Sequence, residues 1–419
     1  MRGGMSGPLH LCGGLSLYLR NGKIGVFDLS KEESAEEPLE EAVSWESASS
    51  DVISKRLADE HGLDSLVLGT GLLTYSFVPA AAAGLIRGRP DDDGRERIAP
   101  ILGFAGSELK LSGFDFIVLK GKAKAPGYLW IRDGVMEFVQ APDMLQIDSW
   151  KRIDRIRSDQ GDNEIHVIAN GPWGDAGIGS SQFVIDYWGG EDKVGLGADL
   201  GRMGLTAIAF RGMGEFEVAE PEGHFEDAIL LMREQIERLG KNYGLASYAQ
   251  VADREDFKKI VHRNVACYGC PFPCRSFAKV REDPNEFRLL TKEPGYLHFD
   301  VPALEKAFEV GLDARAATEA LISCAKAGAE PVRALSAAMS KAGVSVESLK
   351  KVLEEVPAAR AAPQIDHPPG NFERSFEDPG DYRRCLGLGL CPRYWAKAGF
   401  DMVQIQAFSE AALSRVLED

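Results

Sequence analysis

The segment CYGCPFPC, residues 267–274, restricts this chain more than any other feature. It places Cys267, Cys270 and Cys274 in a C-x2-C-x3-C spacing, three of seven cysteines within eight residues. Thiolates this close suit a soft metal centre, either tetrahedral zinc or an iron–sulfur cluster. A fourth sulfur must then come from Cys12, Cys324, Cys385 or Cys391. The segment RRCLGLGLCPRYW, 383–395, is the best source, because a distant glycine-rich turn can fold back over a cluster. Structural zinc usually draws on two paired knuckles, and the C-terminal pair here is C-x5-C, so three-plus-one ligation suits a cubane cluster better. Zinc and purely structural thiols stay open as alternatives. Gly269 permits a tight turn between ligands. Pro271 and Pro273 stiffen the loop and remove two amide donors, or are ordinary loop prolines. Cys324, within the apolar ALISCAKAG, reads as a small packing residue, and Cys12 has no neighbours that assign it.

The remainder of the chain has the balance of a soluble globular protein, 44% apolar and 27% charged. Its 419 residues are too many for one core and imply roughly two to three domains. A net charge of −16 repels phosphate backbones and speaks against a nucleic-acid partner. The start, MRGGMSGPLHLCGG, lacks a long apolar core, and the odd cysteine count suits a reducing cytoplasm. Ser65 to Ile86 runs without a charge. Gly69, Gly71 and Pro79 within it favour a buried strand, loop and short helix over a membrane span.

Periodicity predicts an α+β fold with a β-rich first half. LSLYLRNGKIGVFDL, 15–29, alternates around Asn21-Gly22 as a hairpin, and residues 114–139 repeat the device around Asp133-Gly134. EIHVIA (164–169) and LTAIAF (205–210) are further strands. From about residue 222 the period becomes helical, first in HFEDAILLMREQIERLG with Gly240 as C-terminal cap, then over 302–328 and 334–355. The expected organisation is a β-rich domain over 1–216 and a helical domain with the cysteine motif over 217–355. A proline-rich linker over 356–380 and a C-terminal helical segment over 381–419 with the remote cysteine complete it.

Other chemistry-bearing residues are weaker candidates. His298 and Asp300 could face one side of an extended segment as an acid–base pair, though a solvated loop is the plainer reading. His166 reads as a satisfied core histidine, and nothing near His367 makes a metal site. RPDDDGRERI is a solvated turn, and Trp130, Trp173 and Trp188 read as packing residues. GLGADLG could meet a phosphate at a helix start, without the strand–helix unit a nucleotide fold requires.

Taken in order, NVACYGCPFPC, the upstream LVLGTGLLT, GSELKLSGFDFIVLKGKAKAPGYLWIRDG, ANGPWGD and GADLGRMGLTAIAFRG, and the downstream FEVGLDARAATEALISCAKAG and LGLGLC resemble the tungsten-containing aldehyde ferredoxin oxidoreductase family. The likeness is nearly continuous over residues 12–330 and thin afterwards. It implies that family's N-terminal domain followed by a shortened helical domain. It also implies one 4Fe–4S cluster held by Cys267, Cys270, Cys274 and a remote cysteine. Cys391 matches that cysteine better than Cys385, since the family's residue follows a glycine-leucine pair. A tungsten on two pterin dithiolenes would be the second cofactor, aldehyde oxidation to acid the activity, and ferredoxin the acceptor.

Several family positions differ. The arginine that meets pterin phosphate would fall near Ala83, and an asparagine-glycine stretch appears as APILGF. The glycine- and arginine-rich loop appears as GGEDKVGLG, where Lys193 stands near the arginine's place and Glu191 and Asp192 would repel a phosphate. The acid–base glutamate would fall in KEPGYLHFD, with Glu293 displaced and His298 closest. Where the family keeps a histidine and further pterin loops, this chain has the proline-rich stretch. The expectation is an iron–sulfur redox protein passing electrons within an oxidoreductase complex, with ferredoxin or other redox subunits as partners and no assigned catalytic residue. The alternatives are an active tungstopterin aldehyde oxidoreductase and a zinc- or cluster-stabilised structural subunit.

Overall fold

Short runs, most of them apolar, become two mixed β-sheets in the first half of the chain. The computed structural model describes residues 19–40, 44, 47–214, 221–239, 254–280, 295–296, 301–342, 345–354, 379–398 and 403. The first sheet uses β1 (Lys23–Asp28), β2 (Glu33–Pro38), β3 (Leu66–Thr70), β4 (Gly84–Gly88), β5 (Arg97–Ile101) and β6 (Phe116–Lys120), in the order β2-β1-β6-β3-β4-β5. Only β1 and β6 run parallel there. The second contains β7 (Gly127–Arg132), β8 (Val135–Gln140), β9 (His166–Ala169), β10 (Val184–Ile185) and β11 (Leu205–Arg211), in the order β10-β9-β11-β7-β8 with β11 and β7 parallel.

Alternation decides which face each side chain joins. Ile117 and Leu119 of β6 enter a core that also takes Leu129, Ile131, Ile208 and Phe210 from the second sheet, so the sheets pack face to face. Phe116 and Val118 point the other way, onto Ile53 and Leu57 of helix Ser50–His61. On the outer face of the second sheet, Tyr128, Trp130, Val167 and Ala209 meet Ile153 and Ile156 of helix Ser149–Gln160. The result is helix, sheet, sheet, helix, an α+β body.

The Asp133-Gly134 hairpin forms as expected between β7 and β8, with φ of 48° and 81° at its two turn residues. The Asn21-Gly22 hairpin does not. β1 pairs with β2 on one edge and β6 on the other, so no edge is left for a preceding strand. Gly22 instead donates its N–H to Asp115 Oδ2 at 2.8 Å; residues 15–18 lie outside the described residues.

The charge-free stretch 65–86 forms β3, a run of turns and β4, with no helix. No helix among the described residues is long and apolar enough to cross a membrane. The two long helices expected over 302–355 are four: Val301–Glu309, Ala314–Ala327, Pro331–Ala342 and Val346–Glu354. Gly311 and Gly328 take positive φ at two of the breaks, and Asp313 caps the second helix by accepting from Ala316 N–H. These four pack around one core that includes Leu304, Leu321, Cys324, Leu335 and Leu349, with Trp173 of the body. Helix Pro221–Leu239 is present, while its expected cap at Gly240 lies outside the described residues. So does most of the proline-rich 356–380 stretch, although Pro379 begins helix Pro379–Gly387 rather than closing a linker.

A third sheet has no counterpart in the sequence reading: β12 (Val261–Val265), β13 (Arg275–Lys279) and β14 (Gly295–Tyr296), antiparallel in that order. Its first two strands interrupt the helical half and carry the cysteine motif between them.

Candidate metal centre

The motif loop is clamped at its base where Val265 of β12 faces Arg275 of β13. Inside it, Cys270 N–H donates to the Cys267 carbonyl at 3.2 Å, closing a turn through Gly269, whose φ of 59° suits glycine. Phe272 N–H points at Cys270 Sγ, 3.4 Å away. Pro271 and Pro273 withhold their own donors, so this amide reaches the sulfur without competition from either neighbour.

Cys391 arrives from the other end of the chain. After helix Pro379–Gly387 the backbone turns through Leu388 and Gly389 and enters helix Pro392–Ala398, with Cys391 immediately before its first residue. The N–H groups of Arg393 and Tyr394 bond to its sulfur.

One stretch of the body, residues 71–83 between β3 and β4, joins the two cysteine segments. Ala80 donates its N–H to the Gly269 carbonyl (3.1 Å), and its carbonyl accepts from Cys391 N–H (2.9 Å). To do both it holds φ at 58°, a left-handed geometry that costs an L-residue about 1–2 kcal/mol. Leu73 N–H bonds to Leu388 O and Ala83 N–H to Gly389 O, at 2.9 and 3.0 Å. A Cβ on Gly71 would sit 2.1 Å from Leu388 and Gly389 backbone atoms, so only glycine permits this approach. Lys110, fully buried, fixes the same stretch by donating to the carbonyls of Gly71 (3.3 Å), Leu72 (2.9 Å) and Thr74 (2.9 Å).

The fold thus brings Cys267, Cys270, Cys274 and Cys391 into one apolar neighbourhood with Leu72, Leu102, Phe272, Leu390 and Trp395. Burial pushes the thiols of Cys270 and Cys274 well above the ordinary range. Further upward push comes on Cys270 from Cys274, Cys267 and Cys391, and on Cys274 from Cys267 and Cys391. Cys391 is pushed up to about 11, again by burial first, with Cys267 adding and Arg393 opposing. Cys385 is also buried and raised, but its thiol neighbour is Cys391, and it donates to the Leu390 carbonyl with Sγ 3.9 Å from the oxygen. Among the described residues, no three His, Cys, Asp or Glu side chains meet in a closed chelating group. The four thiols are therefore neighbours at Coulombic range rather than a closed cage.

Two arginines lie with them. Arg275 follows Cys274 directly and Arg393 stands two residues past Cys391; their side chains are only 4% and 3% exposed. Burial works against the Arg275 guanidinium, but Cys267, Glu191 and Cys274 outweigh it and hold its proton more tightly than usual. Arg275 Nε has no hydrogen-bond partner among the described residues. Buried thiols, amides aimed at sulfur and a buried cationic donor form a set that fits a thiolate-bound, anionic iron–sulfur group.

The positions expected to meet pterin phosphate do not fit that group. Ala83 is fully buried, donates to Gly389 and accepts from Thr74 Oγ1 at 2.6 Å. Glu191 and Asp192, expected to turn negative charge toward a phosphate, are turned inward. Glu191 Oε2 takes Arg393 at 3.0 Å and Oε1 faces Arg275 at 3.8 Å. Asp192 accepts from the N–H groups of Phe183, Val194 and Gly197, so a carboxylate of the chain itself occupies the start of helix Leu196–Met203 where GLGADLG had suggested a phosphate. Lys193 pairs with Glu330 at 3.2 Å.

His166 is held by Asp186 at 2.8 Å and stacks on Phe104 with ring centres 5.5 Å apart. Trp130 and Trp173 are buried packing residues, Trp173 Nε1 donating to Leu353 O; Trp188 lies under the Arg275 guanidinium. Glu293, His298, Asp300, His367 and Cys12 lie outside the described residues. Sequence reasoning missed Ala80, Lys110, Arg275, Arg393 and the true role of Glu191. The one available signal was that each cysteine segment carries an arginine just beyond its last cysteine.

Residues 24–212 match the family described as aldehyde ferredoxin oxidoreductase, N-terminal domain. A tungsten-containing aldehyde ferredoxin oxidoreductase of Pyrococcus abyssi is 26% identical over 249 residues, 50% of this chain and 39% of the relative. An aliphatic sulfonate oxidoreductase, WOR-like subunit, of Pyrococcus furiosus is 24% identical over 323 residues, 64% of this chain and 51% of that protein. The chain spans about two fifths of the length of the aldehyde ferredoxin oxidoreductases it matches. Among solved structures, the active-site complex BamBC of benzoyl coenzyme A reductase with 1,5-dienoyl-CoA shares the fold. Its TM-score is 0.66 at 16% identity, covering 87% of this chain and 64% of that one.

Proposed function

We propose that this chain, a divergent and partial member of the aldehyde ferredoxin oxidoreductase family, binds one 4Fe–4S cluster through Cys267, Cys270, Cys274 and Cys391 and relays electrons inside an oxidoreductase assembly. The observation that carries this reading is the convergence of four thiols from segments over a hundred residues apart in one apolar neighbourhood. When bound, the cluster would supply one-electron chemistry. The protein's part is to exclude water with Phe272, Leu390 and Trp395, to direct the N–H groups of Phe272, Arg393 and Tyr394 at sulfur, and to hold two cations beside the thiolates. Because the thiols are raised by burial, loading would release protons and tighten with rising pH.

No step is assigned to a tungstopterin, since Ala83, Glu191 and Asp192 offer it no seat. An assembly is supported by two similar proteins whose names carry "subunit" and "complex". A ferredoxin or another redox subunit is the partner we infer. Elemental analysis of anaerobically purified protein tests the reading. Iron and acid-labile sulfide without tungsten or molybdenum are expected; stoichiometric zinc, or an equivalent of tungsten, would overturn it.

A further inference from the structure

Glu191 belongs to the body of the molecule, in the loop before helix Leu196–Met203, yet its carboxylate ends between the two cysteine segments. Arg393 Nη2 donates to one oxygen at 3.0 Å, and Arg275 Nη2 faces the other at 3.8 Å. All three side chains are buried, Glu191 with 1% exposure. Arg275 also lies over the Trp188 ring, 5.6 Å from its centre, and against Gly103, where a Cβ would come within 2.9 Å of its Nη1. That crowding fixes where the guanidinium can point.

Two guanidiniums buried side by side repel each other and forfeit their hydration, a penalty one carboxylate offsets only in part. Besides Glu191, the groups that act on the pair are the thiols, Cys267 and Cys274 on Arg275 and Cys274 and Cys391 with Arg393, and, on Arg275, the Asp186 carboxylate, which is itself paired with Arg157 and His166. We infer that Glu191, Arg275 and Arg393 form a charge-balancing clamp that ties the motif loop to the Cys391 segment and sets the reduction potential of the group those cysteines bind. This rests on the iron–sulfur reading above. The clamp makes the motif loop and the Cys391 segment depend on one carboxylate, and it tunes charge without supplying a ligand. Glu191 is a positioning residue.

Removing charges of opposite sign separates this role from simple packing. A reduced cluster is more negative than an oxidised one, so deleting the carboxylate should favour reduction and deleting a guanidinium should oppose it. The experiment is anaerobic redox titration of wild type, Glu191→Gln, Arg393→Met and Arg393→Lys, followed by visible absorption and electron paramagnetic resonance, with iron and sulfide measured on each. Glu191→Gln should raise the midpoint potential and Arg393→Met lower it. Each should move by about a tenfold change in the reduction equilibrium, about 59 mV for one electron. Arg393→Lys should stay near wild type. Variants that keep iron but show no shift, or shifts of one sign, would overturn the clamp while leaving the cluster reading intact. If Glu191→Gln does not fold, the Met and Lys variants at 393 decide: equal potentials contradict the inference. Wild-type protein without iron and sulfide would overturn the cluster reading and this inference together.

Discussion

Cys267, Cys270 and Cys274 owe their placement to sequence neighbours, through a loop closed by β12 and β13, whereas Cys391 owes its placement to backbone more than three hundred residues earlier. The motif loop holds its own turn and its own N–H to sulfur contact. The remote segment is fixed by Leu73, Ala80 and Ala83, in a stretch whose first turn Lys110 holds at Gly71, Leu72 and Thr74. A short spacing in sequence marks chemistry; the ligand that completes it is placed by tertiary structure. Ala80 and Glu191 both bridge the two halves, one by backbone bonds and one by charge, beside the apolar contact of Phe272 with Tyr394.

The strongest way to break this contrast is at the motif itself. Cys270→Ser should remove essentially all iron and the brown absorption near about 400 nm expected of such a cluster, because serine is a poor soft-metal ligand. Spectra and iron content of anaerobic protein check this.

Next in size is Lys110→Met, which takes the ammonium donor from the carbonyls of Leu72 and Thr74 and leaves Gly71 O with the Thr74 N–H. We expect a loss of about 3 kcal/mol in urea unfolding. Hydrogen exchange should loosen at residues 71–83 and 388–391 before it loosens in the motif loop. Equal loosening of both would contradict the contrast.

The smallest effect concerns pH, and its titrating pair lies in the body. Burial would raise the Asp186 carboxyl, but His166 and Arg157 hold it down to about 2. Burial lowers His166, and Asp186 reverses this to a net rise. The depressed carboxyl gives stability that is present above about pH 4 and lost as pH falls toward 2. The raised imidazole gives stability that is full below about pH 6.5 and lost as pH rises through its folded value. Melting temperature against pH should therefore peak between these limits. His166→Gln should flatten the upper limb without changing iron content.

Much of the body was legible because alternation survives where each face of a strand meets a different core, as in Phe116–Lys120. Asp133-Gly134 was legible for the same local reason, a turn needing positive φ at two residues. Asn21-Gly22 carries the same signal and misleads, because β6 takes the edge of β1 that a hairpin would use. β12 and β13 were not legible: VHRNV is exposed or half-buried throughout, and Arg275–Ala278 is buried on both faces, so neither strand shows an alternating period. At the candidate site, the cysteine spacing was visible and its supports were not. Ala80 looks like any alanine in a run of four, and its left-handed backbone exists only because two distant groups bond to it. Glu191 read as repulsive because its partners, Arg275 and Arg393, come from elsewhere in the chain.

Iron and sulfide per chain, measured on Cys391→Ser beside Cys385→Ser under identical anaerobic purification, bears most directly on the union of the two segments. We expect Cys385→Ser to keep the wild-type iron and sulfide and Cys391→Ser to lose most of both. Full loading of Cys391→Ser, or loss in Cys385→Ser alone, would contradict the assignment of the fourth sulfur and the account built on it.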